Sequence, residues 1–181
     1  MINYWDSMKI TKKATIKTPR LIIKPITSID EERLMDILIN EEIAKTFMLP
    51  EFKNCEDSRK LAQKIITNSN INNHEHLEYG IYLDDVLIGT INDVGFSDEE
   101  IEVGYLIHPD YQGKGYATET LKAIINEIGQ MGFKRLTAGY FIENKASQRV
   151  MEKAGMTKTD IKEEIQYRGI NHNCEYYEYR Y

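Results

Sequence analysis

The spacing of apolar residues along the chain alternates between two periods and predicts both strands and helices. Short apolar runs closed by turn residues or proline predict strands at residues 20–26, 76–83, 86–91, 101–107 and 135–141. Apolar residues that recur every three or four positions predict helices after Ser28, at 55–67, from Gly115 to about residue 131, and at 145–153. The Tyr-rich tail at 161–181 predicts a final hairpin that turns near Gly169.

The order of these elements predicts a mixed α/β fold with a mostly antiparallel sheet. Asp84 and Asp85 form a tight turn between two strands, and a third strand follows them before the next helical pattern begins. A chain of 181 residues with 41% hydrophobic content can bury one sizeable core. We therefore expect a single domain at residues 19–181, preceded by a polar N-terminal extension at residues 1–18.

Composition narrows the range of partners and locations. The chain has 23 Lys plus Arg against 29 Asp plus Glu, a formal net charge of -6, which disfavours nucleic acid and suits a cationic small molecule or peptide. No run approaches the roughly 20 apolar residues of a membrane span, so we expect a soluble protein without a membrane partner. Cys55 and Cys174 form no CxxC pair, which argues against a zinc site or a disulfide framework and fits a reducing cytoplasm.

The segment from Gln112 to Ala117 has the features of a phosphate-binding loop. It lies between the end of a strand and the start of a helix, where unpaired backbone N–H groups and the helix dipole favour an anion. Gly113 and Gly115 allow a ligand to approach the backbone closely. A P-loop would need glycine at His108, and a dinucleotide fingerprint would need a third glycine at Thr118. Taken alone, the two glycines are also compatible with a turn that binds no phosphate.

The order of motifs around this loop resembles the GNAT superfamily of acetyltransferases. The similarity covers residues 19–179 and is most specific between Glu102 and Gly155, where His-Pro-Asp-Tyr, Gln-x-x-Gly-x-Ala and Asn-x-x-Ser follow one another. Thr-Pro-Arg-Leu at 18–21, the Gly104-Tyr105 pair and Gly-Tyr-Ala-Thr-Glu at 115–119 are most similar to the branch that contains ribosomal-protein N-terminal acetyltransferases. The resemblance implies a three-layer fold with about seven strands and about four helices.

The same resemblance implies an N-acetyltransferase that moves an acetyl group from acetyl-CoA to a primary amine by direct attack in a ternary complex. The implied cofactor-binding loop consists of Gln112, Gly113, Lys114, Gly115, Tyr116, Ala117 and Thr118. Leu106 and Ile107 fall where the family's pantetheine arm pairs with an exposed strand backbone. Asn144 matches the asparagine that hydrogen-bonds this arm, and Ser147 lies one helical turn later on the same face.

Position 151 departs from the family pattern. Many members carry a tyrosine seven residues after the asparagine to protonate the departing thiolate, whereas this chain has Met151, which has no proton to donate. In the ribosomal-protein branch a serine at the position of Ser147 takes this role, so Ser147 is the implied general acid. Alternatively, Ser147 only caps or bonds within its helix. The chain would then suit a non-catalytic acyl-CoA binding or sensing module, and a nucleotide-binding regulator that uses the loop for ATP is a further alternative.

The acceptor amine also requires a base. An alkyl amine with a pKa near ~10.4 must lose a proton before it can attack a thioester. Glu102 lies on the strand before the loop, in the same alternation as Leu106, and is the candidate base. A solvated strand residue is the alternative, and Asp93 and Glu143 are other candidates. A backbone N–H near Leu106 or Ile107 is the candidate donor to the carbonyl oxygen.

Neither a metal ion nor a cysteine nucleophile is expected. His74 and His76 lack a third ligand at a recognisable spacing. Cys55 and Cys174 have no neighbouring base in the sequence, which disfavours a covalent route through cysteine.

The acceptor is expected to enter a groove formed by residues 47–52 and the hairpin loop near Gly169. A protein N-terminal amine, a polyamine and a small amine all suit the acidic balance of the chain. Monomer and homodimer are both open from the sequence.

Overall fold

The computed structural model of the protein describes residues 10–181, within which one eight-stranded sheet has the order β1-β2-β3-β4-β5-β6-β8-β7. Its strands are β1 (Ile16–Lys17), β2 (Ile22–Lys24), β3 (Glu78–Leu83), β4 (Val86–Phe96), β5 (Glu100–Ile107), β6 (Arg135–Phe141), β7 (Thr157–Tyr167) and β8 (Ile170–Arg180). The α-helices in the same residues are α1 (Glu31–Leu38), α2 (Glu41–Ala44), α3 (Cys55–Ser69), α4 (Tyr116–Gln130) and α5 (Lys145–Lys153). Among the described strands, only β5 and β6 pair in parallel, which confirms the predicted mixed and mostly antiparallel fold.

Two short elements account for the difference from about seven strands and about four helices. β1 has two residues and α2 has four, too few for a period of apolar residues to show in the sequence. α2 begins after Asn40, whose side chain accepts hydrogen bonds from the N–H groups of Glu42 and Ile43. The segment between α1 and α3, predicted as a loop, therefore contains one helical turn.

Part of the expected N-terminal extension packs with the domain. Ile10 is fully buried in the core, and β1 pairs with β2. The packed part of the chain therefore starts before the expected boundary at residue 19. Residues 1–9 of the expected extension lie outside the described residues.

Helices cover both faces of the sheet. Ile101, Val103 and Ile107 of β5 belong to a core shared with α4 and α5, whereas Leu106 belongs to a second core shared with α1 and α3. The two-residue alternation of a strand sends these side chains to opposite faces, which gives three layers. None of the helices in residues 10–181 combines the length and the apolar character that a membrane crossing needs.

β5 and β6 separate after three residue pairs. Their parallel ladder joins residues 100–102 to residues 135–137, while β5 continues to Ile107 and β6 to Phe141. Because the strands diverge, the backbone groups that would have completed the ladder face a gap. This gap opens beside residues 112–117 and the start of α5.

Candidate active site

A cleft of about 710 Å³ occupies the gap between β5 and β6. Its walls are the end of β5, the loop before α4, the first turns of α4 and α5, and the segment around Phe47. The predicted site residues that line it are Leu106, Ile107, Gln112, Gly113, Gly115, Tyr116, Ala117, Thr118, Asn144 and Ser147. Of the described residues predicted for the site, Lys114 and Glu102 lie outside this lining.

The loop before α4 presents backbone N–H groups to the cleft. Gly113 and Gly115 have φ angles of 74° and 84°, a region that L side chains rarely adopt. Gly115 precedes the first residue of α4 and has no side chain, so no side-chain hydrogen bond caps this end of the helix. The first N–H groups and the dipole of this 15-residue helix therefore favour an anion at the same position.

The polar side chains of the loop maintain its shape. Lys114 Nζ folds back and donates a hydrogen bond to the carbonyl oxygen of Asp110 at 2.9 Å. Gln112 Nε2 donates to the carbonyl oxygen of Ile107 at 2.8 Å and so ties the loop to β5. The backbone of the loop is left to contact a ligand.

Arg20 and Glu119 brace the loop from the side of β2, which the sequence did not indicate. Arg20 Nη1 donates to the carbonyl oxygen of Lys114 at 2.9 Å, and its guanidinium lies 4.6 Å from the centroid of the Tyr116 ring. Glu119 Oε2 accepts from Arg20 Nε at 2.7 Å, and Glu119 Oε1 accepts from Thr18 Oγ1 at 2.6 Å. Burial alone would raise the pKa of Glu119, but these hydrogen bonds outweigh it and lower the pKa.

Removing this brace is expected to loosen the phosphate loop. Arg20→Ala deletes the donor to the carbonyl of Lys114, and we expect the Kd for coenzyme A to rise about tenfold, measured by isothermal titration calorimetry. Arg59→Ala is the matched control, because it breaks an arginine–glutamate pair with Glu31 between α3 and α1. Its Kd should equal that of the wild type. An unchanged Kd in Arg20→Ala would mean that the loop keeps its shape without Arg20.

The backbone N–H and C=O groups of successive β5 residues point alternately to β4 and to the gap. The N–H of His108 donates to the carbonyl oxygen of Ile88 on β4 at 2.8 Å. By the alternation of an antiparallel ladder, the backbone of Leu106 also faces β4 and that of Ile107 faces the gap. Of the two positions predicted for backbone contact, Ile107 directs its N–H to the cleft, and Leu106 contributes a buried side chain to the α1 and α3 core.

Asn144 and Ser147 meet at the start of α5, opposite the loop. Asn144 caps this helix, since its Oδ1 accepts the N–H of Ser147 at 3.0 Å. The amide Nδ2 of Asn144 is a further donor that can address a ligand. Ser147 Oγ lies 2.9 Å from the hydroxyl oxygen of Tyr105 on β5. Asn144, rather than Ser147, is therefore the cap of the helix.

Met151 lies one turn further along α5 and is fully buried in the core shared with α4. A buried thioether has no proton for a leaving group. Met151 therefore cannot supply the proton that the family resemblance assigns to a tyrosine at this position.

Glu102 is half-buried on β5, beside the cleft. Burial and the neighbouring carboxylate of Glu163 raise the pKa of Glu102. Glu163 in turn accepts a hydrogen bond from the hydroxyl of Tyr176 at 2.8 Å. The next residue on the same face of β5 is Gly104, which lines the cleft about 7 Å further along the strand. Glu102 therefore lies on the same strand face as a residue that lines the cleft, outside the lining itself.

The two other candidate bases have partners elsewhere. Asp93 Oδ1 accepts the N–H of Leu77 at 2.7 Å, and its Oδ2 lies 3.5 Å from His76 Nδ1. Glu143 is exposed, and its Oε2 lies 3.9 Å from His172 Nδ1. Glu102 is the better placed of the three for chemistry in the cleft.

The histidines that the sequence analysis considered as metal ligands make other contacts. His74 Nδ1 lies 2.8 Å from the carbonyl oxygen of Ile10, and His76 faces Asp93. Within residues 10–181, no three side chains of metal-binding type are grouped for an ion.

The cysteines have no features of a nucleophile. Cys174 is buried on β8, and burial together with nearby carboxylates raises the pKa of its thiol. Cys55 is exposed at the first residue of α3. In the sequence it directly follows residues 47–54 and is far from the loop at residues 112–117. A raised thiol pKa lowers the thiolate fraction, which is unfavourable for a covalent route.

The two segments expected to form the acceptor groove are in contact. The hydroxyl of Tyr167, at the end of β7, accepts the N–H of Leu49 at 3.2 Å and lies 3.1 Å from the carbonyl oxygen of Leu49. Arg168 forms an ion pair with Glu41 of α2 at 2.8 Å. The ring of Phe47 occupies the space that a side chain at Gly104 would fill. These contacts position Phe47 at the edge of the cleft.

The family to which this fold and site belong follows from sequence comparison. Residues 20–157, most of the chain, match the family described as the acetyltransferase (GNAT) domain. The chain belongs to this GNAT family of acetyltransferases. The match spans the loop before α4, Asn144 and Ser147, so the cleft described above lies within the GNAT domain.

Named relatives and solved structures agree with this assignment. The uncharacterized N-acetyltransferase YnaD of Bacillus subtilis is 31% identical over 146 residues, which cover 79% of this chain and 82% of YnaD. A GNAT acetyltransferase from Bacillus anthracis is 26% identical, with a TM-score of 0.77 over 92% of this chain and 98% of its own. The fold is also that of RimL, a ribosomal L7/L12 alpha-N-protein acetyltransferase in complex with coenzyme A, with 17% identity, a TM-score of 0.81, and coverage of 92% and 97%.

Proposed function

We propose that this GNAT acetyltransferase transfers an acetyl group from acetyl-CoA to a primary amine by direct attack within a ternary complex. The single observation that carries the proposal is the cleft between β5 and β6, which is lined both by the loop before α4 and by Ser147. The residues present fit acetyl-CoA: the loop offers free N–H groups for a pyrophosphate, and a Cβ at Gly113 would meet only open space. Acetyl-CoA supplies the activated acyl group.

Each group around the cleft has a task in this proposal. Residues 112–118 bind the pyrophosphate through backbone N–H groups, and Asn144 Nδ2 and the Ile107 backbone hold the pantetheine arm. Glu102 accepts a proton from the ammonium form of the acceptor, directly or through one water. The N–H of Ile107 donates to the carbonyl oxygen as negative charge develops there. When the carbon–sulfur bond breaks, Ser147 donates its hydroxyl proton to the departing sulfur and regains a proton from the nitrogen of the collapsing intermediate, which becomes the neutral amide.

The acceptor is a primary amine on a protein N-terminus, a polyamine or a small molecule. Glu102 and Glu163 are two neighbouring carboxyl groups beside the cleft, which favours a cationic acceptor. The fold shared with RimL supports a protein N-terminus among these candidates.

Incubating the purified protein with radiolabelled acetyl-CoA and a panel of N-terminal peptides, polyamines and small amines tests the proposal. Label in at least one amine supports it, and no transfer to any amine contradicts it.

A non-catalytic acyl-CoA binding module is the second candidate, and the burial of Met151 in place of an acid favours it. Two observations favour the enzyme. The relatives of this chain are named N-acetyltransferases, and Ser147, which carries a hydroxyl, lines the cleft. Amine-dependent release of free thiol from acetyl-CoA separates the two functions. Competition between ATP and coenzyme A in a thermal-shift assay tests the nucleotide-binding alternative.

Replacing the proposed base changes the pH profile of the reaction. Because burial and Glu163 raise the pKa of Glu102, it loses its proton at a higher pH than an ordinary glutamate, and the wild-type kcat/KM should fall as the pH drops and Glu102 becomes protonated. In Glu102→Gln we expect kcat to fall about tenfold to a hundredfold at neutral pH. The loss should shrink as rising pH deprotonates the amine without help.

Glu100→Gln is the control for this experiment. Glu100 lies on the same strand and pairs with Arg135 at 2.9 Å, so the change removes a carboxylate of the same type outside the cleft. Its pH profile should match that of the wild type. Superimposable profiles for Glu102→Gln and the wild type would assign the base to another group.

A further inference from the structure

Tyr105 makes a contact that joins two walls of the cleft. Its hydroxyl oxygen, at the end of a β5 side chain, lies 2.9 Å from Ser147 Oγ and 3.3 Å from Ser147 O on α5. The two residues are 42 positions apart in the chain. Both line the cleft, so the contact lies where a ligand would meet α5.

Burial keeps the Tyr105 hydroxyl protonated. Burial raises its pKa to about 12, although the hydrogen bond with Ser147 opposes part of the rise. At neutral pH the group is therefore a phenol with one proton to donate and lone pairs to accept. It acts as a hydrogen-bond partner and not as a charged group.

The direction of this hydrogen bond decides what Ser147 can do. If Ser147 donated to Tyr105, its only hydroxyl proton would be used, and Tyr105 would direct its own proton to the Ser147 carbonyl. That carbonyl is the longer contact at 3.3 Å, and within a regular helix it already accepts the N–H of Met151. If Tyr105 donates to Oγ at 2.9 Å, the proton of Ser147 stays free to point into the cleft.

The other contacts of Ser147 leave its side chain dependent on Tyr105. Its N–H is bonded to Asn144 Oδ1, which fixes the backbone but not the χ1 rotation of the hydroxyl. Without another partner, a helical serine side chain tends to turn back to a carbonyl of the preceding turn. Met151, the next residue on this side of α5, is buried and offers no hydroxyl.

We propose that Tyr105 is a positioning residue that donates its hydroxyl hydrogen to Ser147 Oγ and thereby aims the Ser147 proton at the leaving sulfur. The inference rests on the proposed role of Ser147 as general acid. Tyr105 donates no proton to the sulfur itself: the proton of Ser147 moves to the sulfur as the carbon–sulfur bond breaks, and Ser147 regains a proton from the nitrogen of the collapsing intermediate. The tyrosine absent from position 151 is thus compensated by one from β5, which acts through serine.

The test is a double-mutant cycle in kcat with an amine that the wild type acetylates. Tyr105→Phe keeps the ring and removes only the hydroxyl, and we expect kcat to fall about tenfold with the KM for acetyl-CoA within about twofold of the wild type. Ser147→Ala should give a larger loss. The double variant should be no slower than Ser147→Ala, because the hydroxyl of Tyr105 has no effect once Ser147 cannot donate.

Tyr79→Phe is the matched control. Tyr79 is also a buried tyrosine with a raised pKa, and its hydroxyl donates to the carbonyl oxygen of Lys13 at 3.1 Å. It lies on β3, two strands from β5 in the sheet. Its kcat and KM should equal those of the wild type. A loss in Tyr79→Phe equal to that in Tyr105→Phe would indicate a general packing effect and overturn the assignment.

Two outcomes separate this inference from the proposed function. If the wild type acetylates an amine and Tyr105→Phe has the same kcat, or if the effects of Tyr105→Phe and Ser147→Ala multiply, Tyr105 does not act through Ser147. If the wild type acetylates no amine, the proposed function fails, and with it the role that Tyr105 would support. Calorimetry with coenzyme A on each variant shows that the cofactor site is intact, so a change in kcat is assigned to the chemical step.

Discussion

Gly115→Val is expected to weaken coenzyme A binding at least about a hundredfold, because several charge-assisted hydrogen bonds of about 1.5–3 kcal/mol each depend on close approach to this backbone. Gly115 has a φ of 84° at the start of α4, a region that L side chains rarely adopt, and a Cβ there would lie 3.4 Å from Arg20 Nη2, so a valine both strains the loop and displaces the guanidinium that braces it. Isothermal titration calorimetry with coenzyme A measures the effect. The rise in melting temperature that coenzyme A gives the wild type should also disappear.

Gly132→Val separates lost binding from backbone strain. Gly132 has a φ of 94° just after α4, and a Cβ there would meet open space. Both valine variants therefore carry a similar strain of about 1–2 kcal/mol, and both should melt at a lower temperature in the absence of ligand. Only Gly115→Val should lose affinity. Equal affinity for coenzyme A in the two variants would mean that the loop before α4 does not bind the pyrophosphate.

Ser147→Ala has the largest expected effect on turnover. Loss of a general acid lowers the rate of the chemical step by about 10²-fold to 10⁴-fold, and a thiolate is a good enough leaving group to place this reaction near the lower figure. The N–H of Ser147 still bonds to Asn144 Oδ1 in the variant, so α5 keeps its cap and the cofactor site its shape. Single-turnover acetyl transfer, with chemistry as the slow step, measures the effect. The Kd for coenzyme A should stay within about threefold of the wild type.

Ser58→Ala is the corresponding control. Ser58 is a buried helical serine on α3 whose hydroxyl donates to the carbonyl oxygen of Cys55 at 2.8 Å. Its loss can change stability by about 1 kcal/mol but should leave the single-turnover rate unchanged. A Ser147→Ala rate equal to that of Ser58→Ala would remove Ser147 from the mechanism.

The parts of the site that could be predicted from the sequence are local in the chain. The phosphate loop was predicted because glycine, a strand end and a helix start all fall within residues 107–117, and the structure has the same order. The bounds of β6 and α5 agree with the predicted 135–141 and 145–153, since each is marked by its own apolar period and a nearby turn residue. Asn144 and Ser147 share a face because they are one helical turn apart.

Contacts between distant segments could not be predicted in this way. Arg20 meets Glu119 across 99 positions, and Tyr105 meets Ser147 across 42 positions. Neither pair has a spacing that a helix or a strand period can reveal, because the fold alone brings the partners together. The Thr-Pro-Arg-Leu segment and the Gly-Tyr pair are recognisable as motifs in the sequence. Their contacts with the loop and with α5 depend on how β2, α4 and α5 are arranged in the fold.

The two-residue alternation along a strand does not reveal which neighbouring strand each backbone group faces. Alternation predicts that Glu102 and Leu106 share one face of β5, because an even number of residues separates them. It did not reveal that the backbone of Leu106 faces β4, since this depends on the hydrogen bond between His108 and Ile88. α2 and β1 escaped prediction because two to four residues contain less than one full repeat of any pattern.

The most direct test of amine acetylation is the stoichiometry of products from one reaction mixture. The purified protein is incubated with acetyl-CoA and each member of the amine panel, and mass spectrometry of the amine is compared with colorimetric measurement of free thiol. We expect one N-acetyl group to form for each thiol released with at least one amine, and both products to fall together in Ser147→Ala. Tight binding of acetyl-CoA with neither acetylated amine nor amine-dependent thiol release would contradict amine acetylation.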